Sequence, residues 1–197
     1  EKFYKTPMDA EEEFILSVGA LKYRKGYHVS IPAFAMAKKE IPYLKYKIVG
    51  SQKDAAYFNE LKNLAAERGA LKDIEFLTGL SDGALSEFYR RAKLFILTSL
   101  NENHNFEGFG LVFLEAAAAG LPVIGTLKNG IEDAVKNDFN GILVPQNDTM
   151  AAAGALLKIL KNKELREEFS LNSFSWAKDH DWSKVAVKYI DIYQNLI

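Results

Sequence analysis

Short apolar runs and amphipathic stretches alternate along most of the chain. The apolar runs predict buried strands at 14–18, 46–49, 74–77, 94–98, 122–125 and 141–144. The stretches with helical spacing predict helices at 26–39, 54–68, 81–91, 110–120 and 131–135, with Asp54 and Ser81 as N-caps. Strands that alternate with helices through short loops predict an α/β fold, a doubly wound parallel six-stranded sheet with helices on both faces.

The two ends of the chain differ from this alternating pattern. Residues 1–12 are charged and contain Pro7, which predicts a linker leading into one domain at 13–197. Residues 149–197 predict only helices, at 149–161, 163–179 and 183–197. The domain is therefore expected to end in a helical C-terminal tail.

Composition excludes several classes of function. The chain has 25 basic and 26 acidic residues, which argues against a general nucleic-acid binder. It has no cysteine, so disulfides, cysteine-based zinc sites and a thiol nucleophile are excluded. Its first residues are polar, unlike a signal peptide, and no apolar run approaches the roughly 20 residues that span a bilayer. A cytoplasmic location is expected.

Segment 107–120, Glu-Gly-Phe-Gly-Leu-Val-Phe-Leu-Glu-Ala-Ala-Ala-Ala-Gly, joins the fourth strand to the fourth helix. Its glycines allow close approach of a ligand to the backbone, and the free N–H groups of a first helical turn attract anions. Glu115 is the polar residue of the otherwise apolar stretch 111–119, where a carboxylate is costly unless it is paired. A ribose diol could pair it; the alternative interpretation places it on a narrow solvent-facing strip.

Glu107 and Glu115, separated by seven residues around Gly-Phe-Gly, resemble the Glu-x7-Glu motif of retaining family 4 (group 1) glycosyltransferases with the GT-B architecture. Matching segments follow in the family's order, at 17–26, 49–50, 76–79, 94–99, 129–133, 140–144 and 182–186. GT-B enzymes have two Rossmann-like domains, of which the C-terminal one binds most of the donor. The resemblance implies that this chain is the donor domain and that the N-terminal acceptor domain is missing from it.

The resemblance also implies roles for individual residues. Lys25 and Glu107 become the catalytic candidates, with Lys25 offsetting the charge of the leaving diphosphate and Glu107 beside the transferred sugar. Glu115 is expected to bind the ribose. The donor-binding candidates are Gly19, Lys25, Gly108, Phe109, Gly110, Leu111 and Glu115. The implied substrate is a nucleoside diphosphate sugar, such as UDP- or GDP-hexose. Transfer of the sugar from this donor to a glycan or lipid would need neither metal nor cofactor.

Two positions depart from the family pattern. Ala20 stands where relatives usually have an arginine that contacts the diphosphate, and Lys22 or Arg24 could take its place. The loop at 100–106 is longer than usual and offers Glu102 as a rival to Glu107.

Alternative functions follow from these departures and from weaker motifs. A non-catalytic nucleotide-sugar-binding module and a sugar-nucleotide epimerase of the same architecture remain open. A dinucleotide fingerprint would need glycine at Phe113, and Asp179-His-Asp181 is more typical of a helix cap than of a metal site.

The expected partners are the donor and the missing domain, without nucleic acid. Peripheral membrane association through that missing domain is possible.

Overall fold

A computed structural model of the protein describes residues 13–102 and 106–195. Six parallel strands form one sheet in the order β3-β2-β1-β4-β5-β6. The strands are β1 (Phe14–Val18), β2 (Lys45–Val49), β3 (Ile74–Leu77), β4 (Leu94–Ile96), β5 (Val123–Thr126) and β6 (Gly141–Val144). The predicted parallel six-stranded sheet is confirmed. The order reverses between β1 and β4, and such switch points are where ligands bind in open α/β sheets.

Eight helices complete the fold within the described residues. They are α1 (Tyr27–Glu40), α2 (Ala55–Glu67), α3 (Asp82–Arg91), α4 (Leu111–Ala118), α5 (Ile131–Ala134), α6 (Thr149–Lys161), α7 (Lys163–Asp179) and α8 (Trp182–Gln194). Helix α1 packs against α2 and α6, whereas α4 packs against α5 and α7. The sheet is thereby covered on both faces, as predicted.

The central strands are buried and almost entirely apolar, because both faces of the sheet are covered. All five residues of β1 are buried, and so are all three of β4. Strand β4 is shorter than the predicted 94–98, since its buried run continues through Leu97 and Thr98 beyond the last paired residue, Ile96. The Thr98 hydroxyl donates a hydrogen bond to the carbonyl of Gly26 at 2.7 Å. The other predicted bounds are close to those observed, within the usual scatter of assigned element ends.

The predicted caps are confirmed by hydrogen bonds. The Asp54 side chain accepts from the amide of Tyr57 at 3.0 Å, and that of Ser81 accepts from Ala84 at 3.2 Å. At the start of α8, Asp181 accepts from the amide of Ser183 at 3.0 Å. Asp181 of the Asp179-His-Asp181 motif therefore caps α8, as predicted from the sequence.

Helix α8 differs from the other long helices because none of its described residues is buried. Six of its large apolar side chains are 53–74% exposed, and they are Trp182, Val187, Tyr189, Ile190, Ile192 and Tyr193. The predicted tail helix is thus present but lies unpacked along most of its length. The predicted linker at 1–12 and the last residues, 196–197, lie outside the described part of the chain.

Candidate functional site

The loop after β1 is fixed to the end of β4 at the switch point. Gly26 has φ +71°, in the left-handed region that favours glycine, and a Cβ there would lie 1.8 Å from the carbonyl oxygen of Thr98. The amide of Leu100 donates to the carbonyl of Arg24 at 2.7 Å. Residues 19–26 and the chain after β4 therefore form one connected unit at the carboxyl edge of the sheet.

Glu107 lies at the centre of a charged cluster on this edge. Its Oε2 is 2.5 Å from Nζ of Lys25 and 3.2 Å from Nη1 of Arg24, and the Ser99 hydroxyl donates to it at 3.3 Å. The side chains of Lys25 and Glu107 are only 11% and 12% exposed, whereas Arg24 is 31% exposed. The structure brings together the two residues predicted as catalytic. The two cations leave the cluster with a positive charge.

Arg24 joins this cluster, although the sequence named it only as one of two substitutes for the arginine missing at Ala20. Lys22, the other, is exposed, whereas Arg24 contacts Glu107. The loop geometry therefore places Arg24, and not Lys22, in contact with Glu107. Glu102, the rival carboxylate, is described, but residues 103–105 beyond it are outside the described part of the chain. The contacts with Lys25, Arg24 and Ser99 are made by Glu107.

The backbone after Glu107 rests on the turn that begins α5. The amide of Gly130 donates to the carbonyl of Glu107 at 2.9 Å. A Cβ at Gly130 would lie 1.6 Å from the carbonyl oxygen of Gly108, so only glycine fits against this peptide. Asn129 fixes the same turn, because its side chain accepts from the amide of Ile131 at 3.0 Å. The resemblance singled out this segment, but the contact that makes Gly130 necessary emerges only in the structure.

Helix α4 begins at the same edge with an open N-terminus. Gly110 is its N-cap residue, at φ +75°, and makes no side-chain cap. The first residue, Leu111, is 53% exposed. The first N–H groups of a helix have no partner within it and carry a partial positive charge. Gly108, Phe109, Gly110 and Leu111 thus lead from Glu107 to a helix end suited to an anion.

Glu115 is half-buried one turn further along α4. Its Oε2 accepts a hydrogen bond from the hydroxyl of Tyr89 at 2.9 Å. Tyr89 is fully buried, and burial together with the neighbouring Glu115 charge raises the pKa of its phenol. This protein partner compensates part of the cost of placing a carboxylate here. No local pattern in the sequence connects Tyr89 with Glu115.

The peptide of Gly19 is held from two sides. Its carbonyl accepts from the hydroxyl of the fully buried Tyr27 at 2.7 Å. A Cβ at Gly50 would lie 1.9 Å from the same carbonyl oxygen. Burial raises the pKa of Tyr27 well above its usual value, so its hydroxyl stays a donor. Gly19 therefore takes a fixed position at the mouth of the loop that carries Arg24 and Lys25.

The described residues contain neither a cluster suited to a metal ion nor a helix suited to a membrane. Over 13–102 and 106–195, no group of three His, Asp or Glu side chains is arranged to hold a metal ion. Within the same ranges, no helix combines the length and apolar character that crossing a membrane requires.

Comparison with known proteins points to one family. The family model described as glycosyl transferases group 1 matches residues 1–176. D-inositol 3-phosphate glycosyltransferase from Corynebacterium urealyticum is 30% identical over 183 residues, which cover 91% of this chain and 42% of that protein.

Solved structures share the fold. Sucrose-phosphate synthase from Thermosynechococcus elongatus superposes with a TM-score of 0.79 at 27% identity, covering 96% of this chain and 46% of that one. Anabaena HepE, in complex with UDP-glucose, has a TM-score of 0.80 at 20% identity, covering 95% of this chain and 50% of that one.

The chain spans about half the length of the curated relatives that it matches. This coverage is consistent with the predicted C-terminal domain of a GT-B enzyme. The family match covers most of the chain, including the charged cluster around Glu107, helix α4 and the turn at Gly130. The chain belongs to the group 1 glycosyl transferases.

Proposed function

We propose that this domain binds the nucleoside diphosphate sugar donor of a retaining, metal-independent hexosyltransferase. The observation that carries the proposal is the convergence of Lys25 and Arg24 on Glu107 beside the open N-terminus of α4. Cationic side chains and free helical amides at one strand edge suit a diphosphate. The nearby carboxylates suit the hydroxyl groups of a sugar and a ribose.

In the proposed complex, Lys25 and the amides at 108–111 hold the diphosphate. They stabilise the negative charge that grows on the leaving phosphate as the glycosidic bond breaks, and a fixed positive environment does so without reorganisation. Glu107 then faces the sugar, where its charge favours an oxocarbenium-like centre. Glu115, already oriented by Tyr89, accepts from the ribose hydroxyls.

The site that binds the acceptor is proposed to lie in the N-terminal domain, outside this chain. HepE has the same fold and was solved with UDP-glucose, which supports a donor of this class here. The exposed apolar side chains of α8 are proposed to pack against the N-terminal domain in the whole enzyme. The isolated domain would then bind donor without transferring sugar.

The test is calorimetric titration of the chain with UDP, GDP, ADP and NAD. We expect one of the diphosphates to bind. Lys25→Ala and Glu115→Ala should each lower the affinity for that diphosphate by about 10-fold or more, and Lys22→Ala should leave the affinity unchanged. Lys22 is a matched control because it is an exposed lysine of the same loop. Equal affinity in all variants, or preferential binding of NAD, would contradict the proposed donor site.

Turnover requires the full-length protein. There, Lys25→Ala should lower kcat for donor hydrolysis or transfer by about 100-fold, the usual effect of losing one group that stabilises a developing negative charge. An unchanged kcat would remove Lys25 from the catalytic machinery.

A further inference from the structure

We propose that Arg24 is a donor-binding residue whose guanidinium contacts the diphosphate, and that Glu107 holds it in place before the donor arrives. This inference rests on the proposed donor site and deepens it. The family resemblance singles out Lys25 in this loop and leaves Lys22 and Arg24 as equal alternatives for a second cation; the geometry brings Arg24 to the cluster.

Arg24 is fixed at its backbone and available at its side chain. Its carbonyl accepts from the amide of Leu100, and it lies in the short 3-10 turn Tyr23–Lys25, closed by a 2.9 Å hydrogen bond from Gly26 to Tyr23. The side chain is nevertheless 31% exposed. A residue anchored in this way presents its guanidinium to the site at little further cost in entropy.

The guanidinium retains donors for a ligand. Among the described residues, Arg24 makes one side-chain hydrogen bond, from Nη1 to Glu107 at 3.2 Å. A guanidinium has five N–H donors, and their planar arrangement matches two oxygens of one phosphate. Lys25 contacts the same oxygen of Glu107 at the shorter distance of 2.5 Å. Because Lys25 already pairs this carboxylate closely, Arg24 can turn to a phosphate without leaving Glu107 unpaired.

The charges also favour two cations here. One carboxylate neutralises one of the two, so the cluster retains a net positive charge at the mouth of the loop. The diphosphate of a nucleotide sugar carries two negative charges. Without Arg24 the pair of Lys25 and Glu107 would be neutral, so Arg24 supplies the net positive charge that attracts it. Ala20, in the same loop, offers no charge of its own.

The experiment compares Arg24→Gln, Arg24→Lys, Lys25→Gln and the control Lys22→Gln in this chain. Each variant is titrated with UDP, GDP and ADP and with the matching monophosphates, after thermal unfolding has verified that it folds. We expect Arg24→Gln to weaken the preferred diphosphate by about 10-fold or more. The same variant should lose less affinity for the matching monophosphate. Arg24→Lys should retain part of the affinity for the diphosphate, and Lys22→Gln should bind it like the wild type.

The outcomes separate this inference from the function beneath it. If the wild type binds no diphosphate, both are overturned. If Lys25→Gln weakens binding while Arg24→Gln binds like the wild type, the donor site stands and the role of Arg24 is overturned. Equal losses for mono- and diphosphate in Arg24→Gln would also overturn the proposed contact, because they would mean that Arg24 acts on the site as a whole.

Discussion

Replacement of Gly130 by alanine should damage both the fold and the donor site. Gly130 has φ −70°, which alanine adopts readily, so the backbone conformation itself is not the obstacle. The obstacle is the neighbouring peptide, since the new Cβ would lie 1.6 Å from the carbonyl oxygen of Gly108 and 2.9 Å from that of Glu107. One of the two segments must move.

The size of the effect follows from this distance. An ordinary contact to a Cβ is at least about 3.4 Å, so the backbone must separate by well over 1 Å. Overpacking of this kind costs about 1–3 kcal/mol. For a domain of this size, that corresponds to a fall in Tm of roughly 2–12 °C. The movement also displaces the peptides between Glu107 and α4, so diphosphate affinity should fall with stability.

Two other glycines provide matched controls. Gly154 is an exposed glycine in the middle of α6 with open space around it, so Gly154→Ala should stabilise the domain by about 0.5–1 kcal/mol. Gly108 also has open space around its Cβ position, and Gly108→Ala should change stability by less than about 0.5 kcal/mol. Urea and thermal unfolding measure all three variants, and calorimetry measures diphosphate binding. If Gly130→Ala were as stable as Gly108→Ala, the close packing of the two loops would be refuted.

Two further predictions concern buried hydrogen bonds. Tyr27→Phe removes the hydrogen-bond donor to the carbonyl of Gly19. It should lower the free energy of unfolding in urea by about 0.5–1.5 kcal/mol and weaken diphosphate binding in calorimetry. A loss of stability with unchanged binding would refute a role for Tyr27 in positioning the loop. Asp73 is buried between Lys38 and Lys45. Although burial raises its pKa, the hydrogen bond from Lys45 and the ion pair with Lys38 outweigh burial and lower it. Its stabilising effect is therefore present above pH 3.8, the ordinary pKa, and is lost as the pH falls through the lowered folded value. Asp73→Asn should cost about 1–3 kcal/mol near pH 7, and its difference from the wild type should shrink in unfolding curves below pH 3.8; a constant difference would refute the assignment.

The sheet was predictable because its signals are local. Apolar runs such as the one beginning at Phe14 are buried on both faces, and the caps at Asp54 and Ser81 bond within three residues along the chain. Periodicity and capping depend on neighbours in sequence, so a single sequence contains them. The end of β4 was predicted less accurately, because the buried run continues through Leu97 and Thr98 although strand pairing stops at Ile96.

The candidate site was predictable only in part, because its residues come from separate loops. Lys25 and Glu107 were named from the resemblance, and their pairing joins the ends of β1 and β4. The residues that contact the site from elsewhere in the chain have no local sequence signal. Tyr89 donates a hydrogen bond to Glu115 from another helix, and Gly130 packs against the peptide of Gly108, which is distant in sequence. Such contacts depend on the strand order, which periodicity does not determine.

The two carboxylates of the motif illustrate the same physical rule. A half-buried or buried carboxylate is retained only where a donor or a cation compensates its desolvation. Glu107 has cations and Glu115 has a phenol, so the two sites differ in what a ligand must displace. At Glu107 the proposed phosphate competes for cations that already pair with the carboxylate. Since the diphosphate carries more charge than it displaces and salt screens its attraction to the cations, the affinity of the donor should fall as salt rises. At Glu115 the neutral Tyr89 hydroxyl can stay in place while ribose hydroxyls occupy the other lone pairs of the carboxylate. The diphosphate should accordingly dominate the salt dependence of binding, and the ribose contact should contribute little to it.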